Sequence, residues 1–334
     1  MVTLRERYWG TMVGALAGDA MLAPFEGMKS AQVLLRFYKG EGLDPHAYIE
    51  PFKLKRLIEA GEPTDDAQLT AALGYAIASP SFDAARIYHE LRRFIHGVGD
   101  GPRESILTDG KPYGSGGTLR SALRAHTYEA SMREFREGRV RVLPTNGSLM
   151  RNAPIALRFH GNMQAVVEYA RLQSCITHVH PSAQAACIAH AVLLAFVLDG
   201  LEPFPAWDAT REVLRQLQSD DGETKDKLLR NDFTAVLAMS RSMPREDEIW
   251  PHSGDVLISL RIGVAAFLGA FSFQDGLEQV VVVGGDTDTY GAIAGALLGA
   301  RFGLEGIPDA WRKTLRGYDK MIDIADRLHN LAHP

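Results

Sequence analysis

Gly284-Gly-Asp-Thr-Asp-Thr-Tyr-Gly-Ala-Ile-Ala-Gly-Ala296 sets two aspartates and two threonines directly ahead of a run of small apolar residues. From Tyr290 to Phe302 the apolar residues recur three and four apart, the spacing of one helix face. Thr and Asp at a helix start accept hydrogen bonds from the free N–H groups of the first turn, and their charge suits the helix dipole. Gly and Ala along the helix let another backbone come close and bury that start. The stretch therefore reads as a buried α-helix whose first turn carries more oxygens than a cap needs.

The same period recurs in Arg7–Leu22, Asp66–Ala78, Asp83–His96, Met163–Gln173, Ala183–Leu198, Val256–Phe271 and Ala310–Leu331. Strand-like alternation is confined to Arg139–Leu143 and the β-branched run Val280–Val283, and the latter could equally end a helix. The expected class is all-α, with one domain over residues 1–334. Gly97–Gly101 and Gly114–Gly117 read as glycine-rich loops, and Gln216–Lys227 as a solvated linker between helices.

With 46% hydrophobic and 23% charged residues, the chain has the composition of a soluble globular protein with an ample core. A net charge of −5 gives no general attraction for a polyphosphate backbone, so nucleic acid is disfavoured as the main partner except as a modified acceptor. Cys175 and Cys187 suit buried helix positions and a reducing compartment. The small apolar run Thr11–Ala23 is interrupted by Asp19 and followed at once by Pro24-Phe25-Glu26, which argues against a secretion signal. No uncharged apolar stretch of about 20 residues suggests a membrane span. The expected location is cytoplasmic.

A second acidic segment, Thr64-Asp65-Asp66, follows Pro63 and precedes the small-residue stretch Ala67–Ala78. Capping explains one oxygen in each segment, not three or four. If the two segments meet, they offer four carboxylates and at least two hydroxyls, an all-oxygen set that suits Mg²⁺ or Mn²⁺ rather than zinc or copper. Four carboxylates would balance two such ions. The candidate ligands are Thr64, Asp65, Asp66, Asp286, Asp288 and Thr289.

Taken with Gly14-Ala-Leu-Ala-Gly-Asp-Ala20, Pro24-Phe25-Glu26, Asn146-Gly-Ser-Leu-Met-Arg151 and Thr177-His178, these segments resemble the ADP-ribosylglycohydrolase family, in the family's order. The resemblance implies a compact orthogonal bundle of helices with a binuclear metal centre in a cleft. It implies hydrolysis of the bond joining ADP-ribose to an acceptor, with an ADP-ribosylated protein or other ADP-ribose conjugate as partner. The six proposed ligands match the family's two metal motifs residue by residue. Glu26 matches a glutamate that sits, in some members, on a mobile flap over the site. Two positions depart from the family pattern. Met21-Leu22 replace Leu-Gly, which bears on the turn carrying Glu26, and Ala67 stands where Thr is frequent.

Cleavage of a ribosyl bond passes through an oxocarbenium-like state. Candidates for the proton transfer are Glu26 and the ion-bound carboxylates Asp65, Asp66 and Asp288. The diphosphate calls for donors, and backbone N–H groups at Gly114, Ser115 and Gly116 and at Asn146, Gly147 and Ser148 suit it, because both stretches precede helical segments. Neither is a P-loop, since no Gly-Lys-Ser/Thr follows. His178 could donate to a phosphate or ribose oxygen; His180 and His190 read as structural. Arg151 could pair with a core carboxylate or touch the ligand. Phe25 and Tyr113 lie near motifs that could supply an aromatic face for adenine. Two other readings remain: an all-α magnesium-dependent diphosphate-processing enzyme, and an inactive ADP-ribose-binding or structural homologue.

Overall fold

The computed structural model describes residues 2–40, 42–44, 59–97, 103–109, 114–219, 227–249 and 253–334. Among them the chain forms seventeen α-helices and no β-strand. The first seven are α1 (Leu4–Leu22), α2 (Ser30–Tyr38), α3 (Asp65–Ile77), α4 (Ala84–His96), α5 (Gly117–Ala122), α6 (Tyr128–Arg136) and α7 (Ala153–Arg158). Next come α8 (Met163–Cys175), α9 (Pro181–Leu198), α10 (Pro203–Ser219), α11 (Lys227–Ala238) and α12 (Glu246–Ile249). The last are α13 (Val256–Gly269), α14 (Phe273–Val281), α15 (Thr287–Phe302), α16 (Asp309–Thr314) and α17 (Tyr318–Ala332).

The closest helix pairing is between α1 and α15. Gly10, Gly14 and Gly18 face Gly299, Gly295 and Gly291, so the two helices run antiparallel. A Cβ at Gly10, Gly14 or Gly18 would stand 2.1, 2.2 or 1.8 Å from the carbonyl oxygen opposite, closer than any side chain tolerates. This backbone contact lays the C-terminal end of α1 beside the start of α15. Thr287 fixes the junction by donating its hydroxyl to the Leu22 carbonyl at 2.9 Å. The run Thr11–Ala23 is thus the buried centre of the molecule.

Around this pair the apolar helices α9 and α13 pack against α15. By length and composition α9 could cross a bilayer, but 89% of it is buried inside the protein. One connected core cluster runs from Tyr8 on α1 to Leu328 on α17.

The eight expected helices are present, with one correction. Ala310–Leu331 is not continuous: the chain leaves the helix after Thr314 and restarts at Tyr318 behind Gly317, whose φ of +93° no ordinary helix residue adopts. Arg139–Leu143 is not a strand. Val140 is buried there but Arg141 and Val142 are exposed, and the nearest pairing is a single bridge from Thr145 to Asp255. Val280–Val281 complete α14, and Val282–Val283 turn away from it. The polar stretch Gln216–Lys227 begins inside α10, and its residues 220–226 lie outside the described residues, as do Tyr113 and residues 98–101 of the first glycine-rich loop.

Candidate functional site

Asp65 and Asp66 occupy the first turn of α3, and Asp286 and Asp288 flank the start of α15. The two helix starts meet. The Thr64 hydroxyl lies 3.2 Å from Asp66 Oδ2 and 3.4 Å from Asp288 Oδ2. Carboxylate oxygens of Asp19, Asp66 and Asp288 lie within 4.8 Å of one another, and so do those of Glu26, Asp286 and Asp288. Asp288 belongs to both groups.

Asp19 is the residue that sequence reasoning missed. Its signal was a lone carboxylate inside the small apolar run of α1. Thr64 does not cap α3 with its own side chain. Asp19 does so from α1, accepting from Thr64 N at 3.0 Å and Ala67 N at 2.9 Å. It also accepts the Thr64 hydroxyl at 2.7 Å. Both its oxygens are committed to these donors, so Asp19 anchors the start of α3 rather than presenting a free ligand atom. The Thr64 proton points at Asp19, which leaves its lone pairs towards Asp66 and Asp288.

Burial dominates the electrostatics. It pushes the Asp65 carboxyl up to about 7, helped by the nearby charge of Asp19. Asp19 and Asp286 rise to about 6, again chiefly by burial. Asp66 and Asp288 are pushed well above the usual carboxylate range by burial, then by Asp65 for the first and Glu26 for the second. Among the described residues no Lys or Arg forms an ion pair with any of these five aspartates. Asp66 Oδ1 is buried without a hydrogen-bond partner. The cluster therefore calls for protons or for cations.

The acids form the floor of a cleft of about 310 Å³ whose walls include Gly114–Thr118, Thr145–Gly147, Met150 and His178. Gly114 has φ +76°, and a Cβ there would fall 1.8 Å from Asp65 Oδ1, so only glycine lets this loop cross the carboxylate. Asn146 spends its side-chain amide on Asp286 Oδ2 at 2.7 Å and Ser259 Oγ at 3.0 Å, which orients Asp286.

A model of the ADP-ribosylglycohydrolase family matches residues 1–334. The chain belongs to the ADP-ribosylglycohydrolase family. It is 24% identical to ADP-ribosyl-[dinitrogen reductase] glycohydrolase of Rhodospirillum rubrum, over 94% of this chain and 91% of that one. It is 27% identical to ADP-ribosylhydrolase ARH3 of Gallus gallus, over 97% of this chain and 93% of that one. A solved structure, an ADP-ribosylglycohydrolase-related protein complex, shares the fold with a TM-score of 0.70 at 23% identity, covering 98% of this chain and 99% of that chain.

At Leu22, where the sequence departs from the family pattern, the side chain is buried, and Glu26 lies within 4.8 Å of Asp286 and Asp288, carboxylate oxygen to carboxylate oxygen. Backbone bonds between Gly27 N and Gly285 O, 2.7 Å, and between Gly285 N and Met28 O, 2.9 Å, tie the Glu26 loop to the turn before α15.

His178 lines the cleft as an uncharged ring, because burial and then the Arg151 charge push its pKa down to about 3. Arg151 Nη2 donates to Thr177 Oγ1 at 2.8 Å, and Thr177 Oγ1 lies 2.8 Å from His178 Nδ1. A guanidinium only donates, so the threonine oxygen accepts from it, and the buried hydroxyl proton, which has no other acceptor among the described residues, goes to Nδ1. The remaining ring proton then sits on Nε2. A Cβ at Gly147 would lie 2.9 Å from that nitrogen, so the bare glycine keeps this edge of the ring open.

Other expected site residues take supporting positions. Ser148 is buried behind the wall and shares a hydrogen bond with Ser174 at 2.9 Å. Arg151 is fully buried and pairs with no carboxylate among the described residues; its other bonds go to the carbonyls of Gly147, 2.7 Å, and Gln173, 3.2 Å. Phe25 is buried against Phe37 and Arg36 rather than facing the cleft. His180 caps α9, accepting from Ser182 N at 3.2 Å, and His190 lies in the core.

Proposed function

We propose that this chain hydrolyses the glycosidic bond between ADP-ribose and an acceptor, removing mono-ADP-ribose from a modified protein side chain with the help of two Mg²⁺ ions, or Mn²⁺ in their place. The observation that carries this reading is the pairing of Asp66 and Asp288. Two remote carboxylates are buried side by side, one with an orphaned oxygen, and among the described residues no Lys or Arg forms an ion pair with them. An all-oxygen donor set of this charge fits hard divalent cations. Thr64, Asp65, Asp66, Asp286, Asp288 and Thr289 would hold them. When bound, such ions polarise ribose hydroxyls and bring the pKa of a coordinated water towards neutrality.

The protein's own residues do the remaining work. Asp19 holds the start of α3 in register with the start of α15, and Asn146 aims Asp286. Glu26, exposed beside Asp286 and Asp288, would move a proton between water and the leaving group. The backbone of Gly114–Gly116 and of Asn146-Gly147 lines the wall where the diphosphate would run, and His178 Nε2–H offers it an uncharged donor. A diphosphate-processing enzyme for a long apolar substrate fits less well, because Leu119 and Met150 are the large apolar side chains among the described lining residues and the rest are glycine, hydroxyl, amide, imidazole and carboxylate.

Release of free ADP-ribose from proteins modified on arginine or on serine, followed with Mg²⁺ and with EDTA, tests the reading. Activity abolished by EDTA and restored by Mg²⁺ supports it. ADP-ribose binding without turnover would instead assign the chain to inactive binders, and unaltered turnover in EDTA would remove the ions from the proposal.

A further inference from the structure

Three histidines gather about the other half of α1, eleven residues or roughly 16 Å along the helix from Asp19. His329 and His333 are one turn apart at the end of α17, and the His333 N–H still donates to the His329 carbonyl at 2.9 Å. Their rings are 5.1 Å apart. His160, in the turn after α7, lies with its ring 5.2 Å from that of His333. We propose that His160, His333 and His329 form a transition-metal site of the zinc or nickel class, separate from the cleft.

One shared proton joins two of the rings. His160 Nε2 lies 2.9 Å from Asp199 Oδ1, so that nitrogen carries the proton and Nδ1 keeps its lone pair. Nδ1 accepts from His333 Nε2–H at 3.2 Å. A zinc ion taking the place of that proton would hold two nitrogens about 2.0–2.1 Å from itself and roughly 3.3 Å apart, close to this spacing. A carboxylate behind the distal nitrogen of a ligating imidazole is the usual outer partner of such a ligand. The Tyr8 hydroxyl donates to the Leu157 carbonyl at 2.8 Å, so it offers His333 Nε2, 3.3 Å away, only its oxygen. His329 Nδ1 is buried without any hydrogen-bond partner. The three rings do not present nitrogens to one point; His329 would complete the set by turning about its side-chain bonds. Arg158, whose charge is felt at Tyr8, directs its guanidinium to the carbonyls of Leu331, Ser79 and Pro80.

Imidazole nitrogen selects zinc, nickel or copper over magnesium, the reverse of the cleft. The site would pin the turn after α7 to the end of α17.

Titration of the full chain with Zn²⁺ alone, in excess Mg²⁺ and in the Asp286→Asn/Asp288→Asn background, excludes the acidic cluster. One Zn²⁺ equivalent is expected, together with a raised Tm and, with Co²⁺, visible bands of tetrahedral coordination. His160→Asn/His333→Asn should lose at least about a hundredfold in affinity, and Asp199→Asn about tenfold with every histidine retained. ADP-ribose release in Mg²⁺ should be unchanged in the His160→Asn/His333→Asn variant of the otherwise native chain, which separates this site from the proposed hydrolysis. Equal Zn²⁺ stoichiometry and affinity in that variant, or no Zn²⁺ uptake and no cobalt bands in the parent, would overturn the assignment.

Discussion

Asp19, on the central helix α1, accepts both the backbone N–H and the hydroxyl of Thr64, the latter at 2.7 Å. One buried carboxylate thereby caps α3 from outside and holds one half of the acidic cluster against the other. Asp19→Asn keeps the shape but turns one acceptor into a donor facing N–H and O–H groups. A buried donor left unsatisfied costs about 1–3 kcal/mol, and urea unfolding should show a loss of that size. Mg²⁺-supported turnover should fall with it. Native stability in this variant would mean that the start of α3 is held by something else.

The glycine seam makes a sharper packing prediction. Gly14→Ala would drive a methyl group to 2.2 Å from the Gly295 carbonyl oxygen, and backbone cannot yield as a side chain can. Overpacking of this kind costs typically about 1–3 kcal/mol and can exceed that, and here it also shifts the start of α15. Gly116→Ala is the control, since no atom lies within 4 Å of its added Cβ. Equal urea midpoints for the two variants would contradict the described helix contact.

The parts of the fold that were legible in the sequence are those written in long apolar periods. α9 and α13 repeat their apolar positions over three turns or more, and the Gly and Ala of α15 announced a close backbone approach. Helices α2, α5, α6 and α7 escaped because each has nine residues or fewer, too short for a period to establish itself, but α10 and α11, with 17 and 12 residues, were not read from the sequence either. The meeting of Thr64–Asp66 with Asp286–Thr289 was inferable from charge, as both segments hold more carboxylates than capping uses. Asp19 was not, because a single acid in an apolar helix says nothing about which remote N–H groups it will meet. The withdrawal of Ser148 behind the wall was equally hidden, since it depends on Ser174 from α8.

Thr177 sets the state of His178, and the relay can be broken without touching the ring. In Thr177→Val no hydroxyl proton reaches Nδ1, so the preference for Nε2–H disappears. ¹⁵N NMR of the imidazole should report Nε2 protonated in the parent and a mixture or reversal in the variant. ADP-ribose affinity should fall about tenfold, the equivalent of one hydrogen bond near 1.4 kcal/mol. An unchanged tautomer would remove Thr177 from this role.

Glu26 tests the division of labour among the acids. If it moves the proton, Glu26→Gln should cut kcat at least about a hundredfold while leaving KM for the ADP-ribosyl substrate nearly constant. Asp286→Asn/Asp288→Asn should instead abolish the response to Mg²⁺ altogether. Turnover undiminished in Glu26→Gln would reassign the proton to one of the aspartates.

The pH dependence of stability follows from the direction of the carboxylate shifts. Asp19 and Asp286 at about 6 and Asp65 at about 7 are raised above their unfolded values near 3.9, so the folded state holds protons that the unfolded state releases. Their contribution is fully present below pH 4 and is lost as pH rises through 6 to 7. In EDTA the Tm should therefore lose this contribution between about pH 4 and 7. Buried His178 and His190, lowered to about 3 and 4, act oppositely by costing stability as pH falls below 6.5. The difference between Tm in Mg²⁺ and Tm in EDTA at each pH cancels the histidines, provided they stay clear of the ions. That difference should widen with rising pH, because divalent charge replaces the lost protons. A difference flat from pH 5 to 8 would mean that Mg²⁺ does not neutralise these carboxylates.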